Sequence, residues 1–304
     1  MPCSARPPVF RRAVIASLVT SIAVATLTGC SDDAENPTSP TAVAESSALS
    51  PASSATTAQQ PISASAPANL RASFDRLDIP SNVGVALAPV GGGPVITFGD
   101  QTPRVAWSTI KVPLSIAALR KSNSASTRAT VRTTIINSDN EGALTLRRSL
   151  GTPDQARVAL TKVFRDLGDE TTQLVRITEP DETFGLTVWP LASAATFASH
   201  LPCESGDDFV VSLMGQVAGN QQWGVEVMPA PKSTAVKGGW GPGDEGGYEV
   251  RQLGLITHSD GRQTAVTMGT YTPGETFEAG TAVLDKVAAW LNKNLSKLPS
   301  GTCD

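Results

Sequence analysis

The segment RVAWSTIKVPLSIAALR, residues 104–120, predicts both a helix near the centre of the fold and a reactive serine at its start. Ser108 and Lys111 are three residues apart, so on a helix they share a face and the ammonium group can reach the hydroxyl. Pro113 agrees with a helix that begins at Ser108, because the first N–H groups of a helix have no partner within it. A hydroxyl there lies in a positive field that favours an oxyanion. Taken alone, the same spacing also fits an ordinary core helix with one exposed lysine.

Two further segments extend the pattern. The sequence S-D-N occurs at 138–140 within IINSDNEGA, and K-G-G occurs at 237–239 at the end of the strand-like STAVKGGW. S-x-x-K, S-D-N and K-T-G in this order are the motifs of class A β-lactamases and penicillin-binding proteins. The chain resembles that superfamily over about residues 80–295, where the surrounding segments also look like the family's nucleophile helix and C-terminal strands. Without the upstream serine and lysine, S-D-N would fit a helix-capping turn.

The resemblance implies a role for each motif residue. Ser108 is the nucleophile that forms an acyl-enzyme, and Lys111 is the base that takes its proton. Ser138 relays a proton to the leaving nitrogen, and Asn140 holds Lys111 and the substrate amide. Lys237 supplies positive charge for a substrate carboxylate.

The strand after Lys237 is implied to bind substrate as well, through Gly238, Gly239 and Trp240. The backbone N–H groups of Ser108 and Trp240 are the implied oxyanion donors, each worth about 3–4 kcal/mol. Gly238 departs from the family pattern, which has a hydroxyl residue there. A hydrogen bond to a charged carboxylate is worth about 1.5–3 kcal/mol, so affinity for a carboxylate is expected to be lower.

A second departure concerns deacylation. The antibiotic-hydrolysing relatives carry E-x-x-L-N in a loop, and its glutamate activates the deacylating water. The corresponding stretch here is RITEPDETFGLTVWP, residues 176–190, in which Glu179 is the candidate residual base. The alternative is that Glu179 is a solvated loop acid. We therefore expect slow deacylation.

The expected fold is α/β of the α+β type, similar to the serine β-lactamase/DD-peptidase fold. An antiparallel sheet combines strands from both chain ends, and an all-helical lobe is inserted between them. Alternating apolar residues and a glycine turn predict a hairpin within 82–100, and a capped amphipathic pattern predicts a helix over 152–168. The remaining expectations are helices over 66–79 and 277–295 and strands over 235–240, 248–258 and 263–271.

The N-terminus predicts export. Three arginines precede an apolar run in residues 1–29, which is typical of a signal peptide. The run ends in L-T-G-C, which resembles a bacterial lipobox with Cys30 as the lipidated residue, as in an actinobacterial-type lipoprotein; an uncleaved signal anchor is the alternative. Residues 30–65 are rich in Ser, Ala, Thr and Pro and predict a disordered tether to a domain at 66–304. The expected location is outside the cytoplasmic membrane, anchored through lipid on Cys30.

The net charge limits the classes of binding partner, and the cysteine content predicts a disulfide. Removal of the leader changes the formal net charge from −4 to −7, and so acidic a chain is not expected to bind nucleic acid. Cys203 and Cys303 remain as the cysteine pair of the exported domain and predict a disulfide, with two free thiols as the alternative. No cofactor or metal site is predicted.

The sequence therefore predicts a membrane-anchored, monomeric serine hydrolase that acts on a β-lactam or on a cell-wall amide or ester. The first alternative is a catalytically silent relative that binds cell-wall peptide in the same cleft. Gly238 and the eroded glutamate loop favour that alternative, and the intact serine, lysine and asparagine residues speak against it. A structural lipoprotein without a functional pocket is a third possibility.

Overall fold

The computed structural model describes residues 61–179, 182–243, 246–274 and 276–303. The signal peptide, Cys30 and the tether up to residue 60 lie outside the described residues. The helices are α1 Ala68–Phe74, α2 Lys111–Lys121, α3 Ala125–Ile136, α4 Asn140–Ser149, α5 Pro153–Asp166, α6 Leu191–His200, α7 Asp208–Met214 and α8 Phe277–Lys293. The strands are β1 Val83–Pro89, β2 Ile96–Gly99, β3 Ser233–Pro242, β4 Gly247–Thr257 and β5 Gln263–Pro273.

The five strands form one antiparallel sheet in the order β2-β1-β5-β4-β3. The central pairing joins distant parts of the chain, with Val85 opposite Met268. The hairpin, the three C-terminal strands and the sheet shared by both chain ends are therefore confirmed. Strand β3, which carries the K-G-G segment, lies at an edge of the sheet.

Side-chain alternation divides the core between the two faces of the sheet. Ala86 and Ala88 pack with the helical lobe, whereas Val85 and Leu87 pack with α1 and α8 on the other face. Helix α2 lies at the centre of the lobe, and every residue from Lys111 to Leu119 is buried. Among the described residues, no helix is long and apolar enough to cross a bilayer.

Helix α5 shows how local sequence sets an element's limits. Thr152 accepts a hydrogen bond from Gln155 N–H, and the Gln155 side chain accepts one from Thr152 N–H, which forms a capping box. Pro153 occupies the first helical position, and Gly168 ends the helix with φ +78°. Both predicted ends of this helix are confirmed.

Three predicted boundaries differ from the structure. The first helix, expected over 66–79, spans only Ala68–Phe74. The helix expected to begin at Ser108 is preceded by a 3₁₀ turn, Trp107–Ile110, and α2 begins at Lys111. Such tight turns are frequent at helix N-termini. Backbone pairing also begins before residue 66, because Val95 N–H donates to Ile62 O (2.7 Å) and Ala64 N–H donates to Val95 O (2.9 Å).

A disulfide joins Cys203, which follows α6, to Cys303 near the C-terminus, with 5.2 Å between their Cα atoms. The cysteines are 100 residues apart, so the bond closes a long loop. Replacing both with serine is expected to lower the free energy of unfolding by about 2–5 kcal/mol, because the unfolded chain gains conformational freedom. Urea denaturation of the variant measures this cost, and reduced wild-type protein is the control. An unchanged midpoint in both samples would contradict the prediction.

Candidate active site

Ser108 lies on the 3₁₀ turn, which contacts strand β3. A Cβ atom at Gly239 would lie 2.9 Å from Ala106 O and 3.1 Å from Ser108 N, so only glycine allows this approach. Trp107 adopts φ +47°, which is unusual for a residue with a side chain. Its indole N–H donates to Glu249 Oε2 (2.8 Å), and its ring covers Gly241. These contacts hold the strained residue that precedes the serine.

Lys111 is directed to the S-D-N segment. Its Nζ donates to Ser138 O (2.6 Å), Asn140 Oδ1 (2.6 Å) and Ser138 Oγ (3.3 Å). Burial lowers the pKa of Lys111 to about 8, against the opposing effect of the Asp139 charge. Within the described residues, the Ser108 hydroxyl has no hydrogen-bond partner. The serine hydroxyl is therefore unpaired in this structure. The Lys111 amine, which is neutral in part at neutral pH, lies one turn further along the chain and contacts Ser138 and Asn140 rather than Ser108.

Ser138 connects the two lysines of the motifs. It adopts φ +56°, immediately before Asp139, which caps α4 by accepting from Glu141 N–H (3.0 Å). Its hydroxyl accepts from Lys237 Nζ (2.9 Å) as well as from Lys111 Nζ. Because both contacts are donated by amines, the hydroxyl keeps its own proton for a third partner.

Lys237 is fully buried, and the structure surrounds it with acceptors. Besides Ser138 Oγ, its Nζ donates to Gln221 Oε1 (2.5 Å) and Gly238 O (2.9 Å). Burial, and then the charge of Lys111, lower the pKa of Lys237 well below its usual value. The sequence analysis missed Gln221, whose amide donates to Ile135 O and Ile136 O and whose carbonyl holds Lys237. Gln221, one of two adjacent glutamines in AGNQQWG, gives no local signal of this role.

The free edge of β3 presents the N–H of Trp240. Gly238 N–H donates to Gln221 Oε1 (3.1 Å) rather than to strand β4. In an antiparallel ladder the N–H groups of residues two apart point to the same side. Trp240 N–H therefore also points away from β4, and Trp240 and Ser108 line the same cleft.

This cleft has a volume of about 560 Å³. Four of the predicted site residues line it, and the others lie outside its lining. Those in the lining are Ser108, Lys111, Asn140 and Trp240, and those outside it are Ser138, Glu179, Lys237, Gly238 and Gly239. The expected direct contact between Lys237 and a substrate carboxylate therefore has no counterpart in this arrangement, because the ammonium group is buried behind Ser138 and Gln221.

The acid that the loop presents to the cleft is Glu182 rather than Glu179. Glu179 is exposed and does not line the cleft, whereas Glu182 does. The Glu182 carboxylate accepts from Thr178 N–H (2.9 Å) and Glu179 N–H (3.1 Å), and these two bonds lower its pKa. The structure thus gives no support to Glu179 as the base. The Glu182 carboxylate, in turn, is already hydrogen-bonded to the backbone of its own loop.

Comparison with known proteins gives the fold a name. No protein-family model matches the chain, and no curated protein matches it. Solved structures do match. The extended-spectrum β-lactamase TLA-3 has a TM-score of 0.62 and 15% identity, over 75% of this chain and 98% of its own. A class A β-lactamase from Bacteroides cellulosilyticus has a TM-score of 0.60 and 16% identity, over 74% and 98%. The described domain has the β-lactamase fold. A class A β-lactamase from Mycobacterium abscessus, with a TM-score of 0.56 and 19% identity over 75% and 97%, shares it.

Gly238 occupies a position of this β-lactamase fold that has no room for the family's hydroxyl residue. A Cβ there would lie 2.8 Å from the Trp223 ring and 3.2 Å from the Trp240 ring. Gly238→Thr is therefore expected to lower the free energy of unfolding by about 1–3 kcal/mol through overpacking. Chemical denaturation tests this, with Gly219→Thr as the control, since a Cβ at Gly219 meets no atom within 4 Å. Equal stability of the two variants would contradict the expected clash.

Proposed function

We propose that this protein is an exported, lipid-anchored serine hydrolase that forms an acyl-enzyme on Ser108. Its substrates are a cell-wall ester or amide or a β-lactam, and it releases the acyl group slowly. The observation that carries the proposal is Lys111, a buried amine with a pKa of about 8, one turn from a serine hydroxyl that opens into a cleft. A serine is too weak a nucleophile without such a base.

The proposed reaction transfers protons between these groups. Neutral Lys111 removes the Ser108 proton as Oγ attacks the carbonyl carbon. The N–H groups of Ser108 and Trp240 stabilise the oxyanion. The C–N or C–O bond of the leaving group then breaks, and Ser138 donates its proton to that atom. Lys111, which donates to Ser138 Oγ, replaces this proton and becomes neutral again. Water later cleaves the acyl–serine ester.

Intact-protein mass spectrometry tests the proposal. Wild-type protein is incubated separately with a fluorophosphonate and with a penicillin, and each mass is compared with that of Ser108→Ala. We expect an adduct on wild type with at least one of the two probes, and no such adduct in the variant. Ser115→Ala is a matched control, because Ser115 lies on α2, directly after the turn that carries Ser108, and is fully buried. A folded wild-type sample that forms no adduct with either probe would contradict the hydrolase proposal.

That outcome would favour the second candidate, a silent binding protein for cell-wall peptide. Gly238 is the observation in its favour, because the K-G-G segment lacks the family's hydroxyl. A binding protein would retain the cleft and would bind a labelled cell-wall peptide reversibly, without any covalent change in its mass.

The location is also part of the proposal. A charged and apolar leader that ends in L-T-G-C supports lipidation of Cys30 and anchoring outside the cytoplasmic membrane. Cys30→Ala is expected to release the protein from the membrane fraction or to leave the precursor uncleaved. Cys3→Ala, within the leader, is the control and should not change fractionation. Wild-type protein that stays in the membrane without lipid on Cys30 would contradict the prediction.

A further inference from the structure

We infer that the substrate of this site carries no carboxylate beside the scissile bond, and is a neutral ester or amide with an apolar group. This inference rests on the proposed function and narrows its substrates. It favours an uncharged cell-wall ester or amide over a penicillin or a peptide with a terminal carboxylate, both of which carry a carboxylate beside the scissile bond. Three independent features of the cleft lead to it: the lysine behind the cleft, the space next to Gly238, and the charges and apolar side chains of the lining.

The first feature is the state of Lys237. A cation that binds a substrate carboxylate needs a donor that faces the cleft, but the Lys237 side chain is fully buried. Its three contacts with Ser138, Gln221 and Gly238 use all three N–H donors that an ammonium group has. Lys237 therefore positions Ser138 and offers nothing to a substrate anion.

The second feature is the space next to Gly238. Trp223 and Trp240 fill the position that a side chain at residue 238 would take. The neighbouring strand supplies no cation, because the residue opposite Gly238 is Gln252. Gln252 is buried and bonds to Trp223 O and Val225 N–H. Arg251, which precedes Gln252, is buried and donates to Arg104 O, Val105 O and Trp189 O. Neither β3 nor β4 thus presents a cation to the cleft, and the donor that β4 adds to its lining is the neutral hydroxyl of Tyr248.

The third feature is the charge of the cleft. Its ionisable lining includes the carboxylates Glu141 and Glu182 and the cations Arg176 and Lys111. Lys111 must be neutral when it acts as a base, so the reactive cleft carries two negative charges and one positive charge. A substrate carboxylate would then meet a net negative site, where like charges repel.

The rest of the lining is suited to an apolar group. Leu114, Leu144, Ile177 and Leu186 line the cleft together with the indole of Trp240. Leu186 is 57% exposed at its rim, so it has surface to bury against a ligand. Burial of apolar surface contributes about 25 cal/mol per Å². An acyl chain or an uncharged leaving group would gain this contribution without the cost of desolvating a carboxylate.

A matched pair of esters tests the inference on the full-length protein. The probes are 3-(pentanoyloxy)benzamide and 3-(pentanoyloxy)benzoate, which differ only in whether the leaving group carries an amide or a carboxylate. Rates on Ser108→Ala protein are subtracted as background. We expect kcat/KM for the benzamide to exceed that for the benzoate by about 10-fold or more. The benzoate carboxylate would lose its hydration in the cleft without gaining hydrogen-bond partners. Glu182→Gln removes a negative charge and should shift the ratio towards the benzoate.

The outcomes separate this inference from the proposed function. Acylation of Ser108 by both esters with equal or greater efficiency for the benzoate would overturn the inference and leave the proposed function intact. A preference that Glu182→Gln does not change would contradict the charge argument. If neither ester acylates Ser108 in folded protein, both the proposed function and the inference are wrong.

Discussion

Acylation of Ser108 is expected to fall by about 10²–10⁴-fold when Lys111 is replaced with alanine, because the reaction loses its positioned general base. Lys237, the other lysine of the motifs, cannot take this place, since it is enclosed by Ser138, Gln221 and Gly238. The measurement is the rate of adduct formation with a fluorophosphonate and with a neutral ester.

The control for this prediction lies on the same helix. Lys121 is exposed at the C-terminal end of α2, and Lys121→Ala makes the same chemical change away from the cleft. It should leave the acylation rate unchanged. A Lys111→Ala variant that is folded and acylates at the wild-type rate would show that another group accepts the Ser108 proton.

The pH dependence of acylation follows from the same residue. The active form of Lys111 is the neutral amine, and its pKa is about 8. The fraction of neutral amine rises about tenfold per pH unit below that value and levels off above it. The acylation rate with a neutral ester is therefore expected to rise from pH 6 to about 8 and then to reach a plateau. A rate that is constant from pH 6 to 9 would contradict the role of Lys111 as base.

Much of the fold could be predicted because its signals are local. The hairpin between β1 and β2 was visible in alternating apolar residues and three glycines, and Gly91, Gly92 and Gly93 all adopt positive φ. Helix α5 carries its own cap and its own terminating glycine. The shared sheet followed from strands at both chain ends.

The site was less predictable because its details depend on contacts between distant segments. Gln221 holds Lys237 from 16 residues away in the chain and also bonds to the end of α3. The burial of Lys237 depends on this contact and on Ser138, which is 99 residues away. Motif spacing could not show whether a lysine faces the cleft or lies behind it.

The loop of Glu179 and Glu182 illustrates the same limit. The family pattern pointed to Glu179, the acid followed by proline. The backbone of the loop instead turns Glu182 to the cleft, where two N–H groups of the loop bind its carboxylate. Only two residues lie between the two acids in the sequence, so the conformation of the loop decides which of them faces the cleft.

The acyl-enzyme formed on Ser108 is expected to persist about 10²–10⁴-fold longer than that of an enzyme with a positioned base for deacylation. Glu179 lies outside the cleft lining, and Glu182 is a weak base because its backbone bonds stabilise the carboxylate and lower its pKa. The lifetime is measured by following the intact mass of the adduct after excess ester or penicillin is removed.

Two variants determine whether either acid contributes to deacylation. Glu179→Gln should leave the adduct lifetime unchanged, because its side chain is exposed and does not line the cleft. Glu182→Gln retains an oxygen for the two backbone N–H groups and should also change the lifetime far less than the loss of a true general base would. Rapid multiple turnover in wild type, lost in Glu182→Gln, would instead show that Glu182 activates water. The loop would then rearrange once the acyl group is bound, and the slow release proposed here would be wrong.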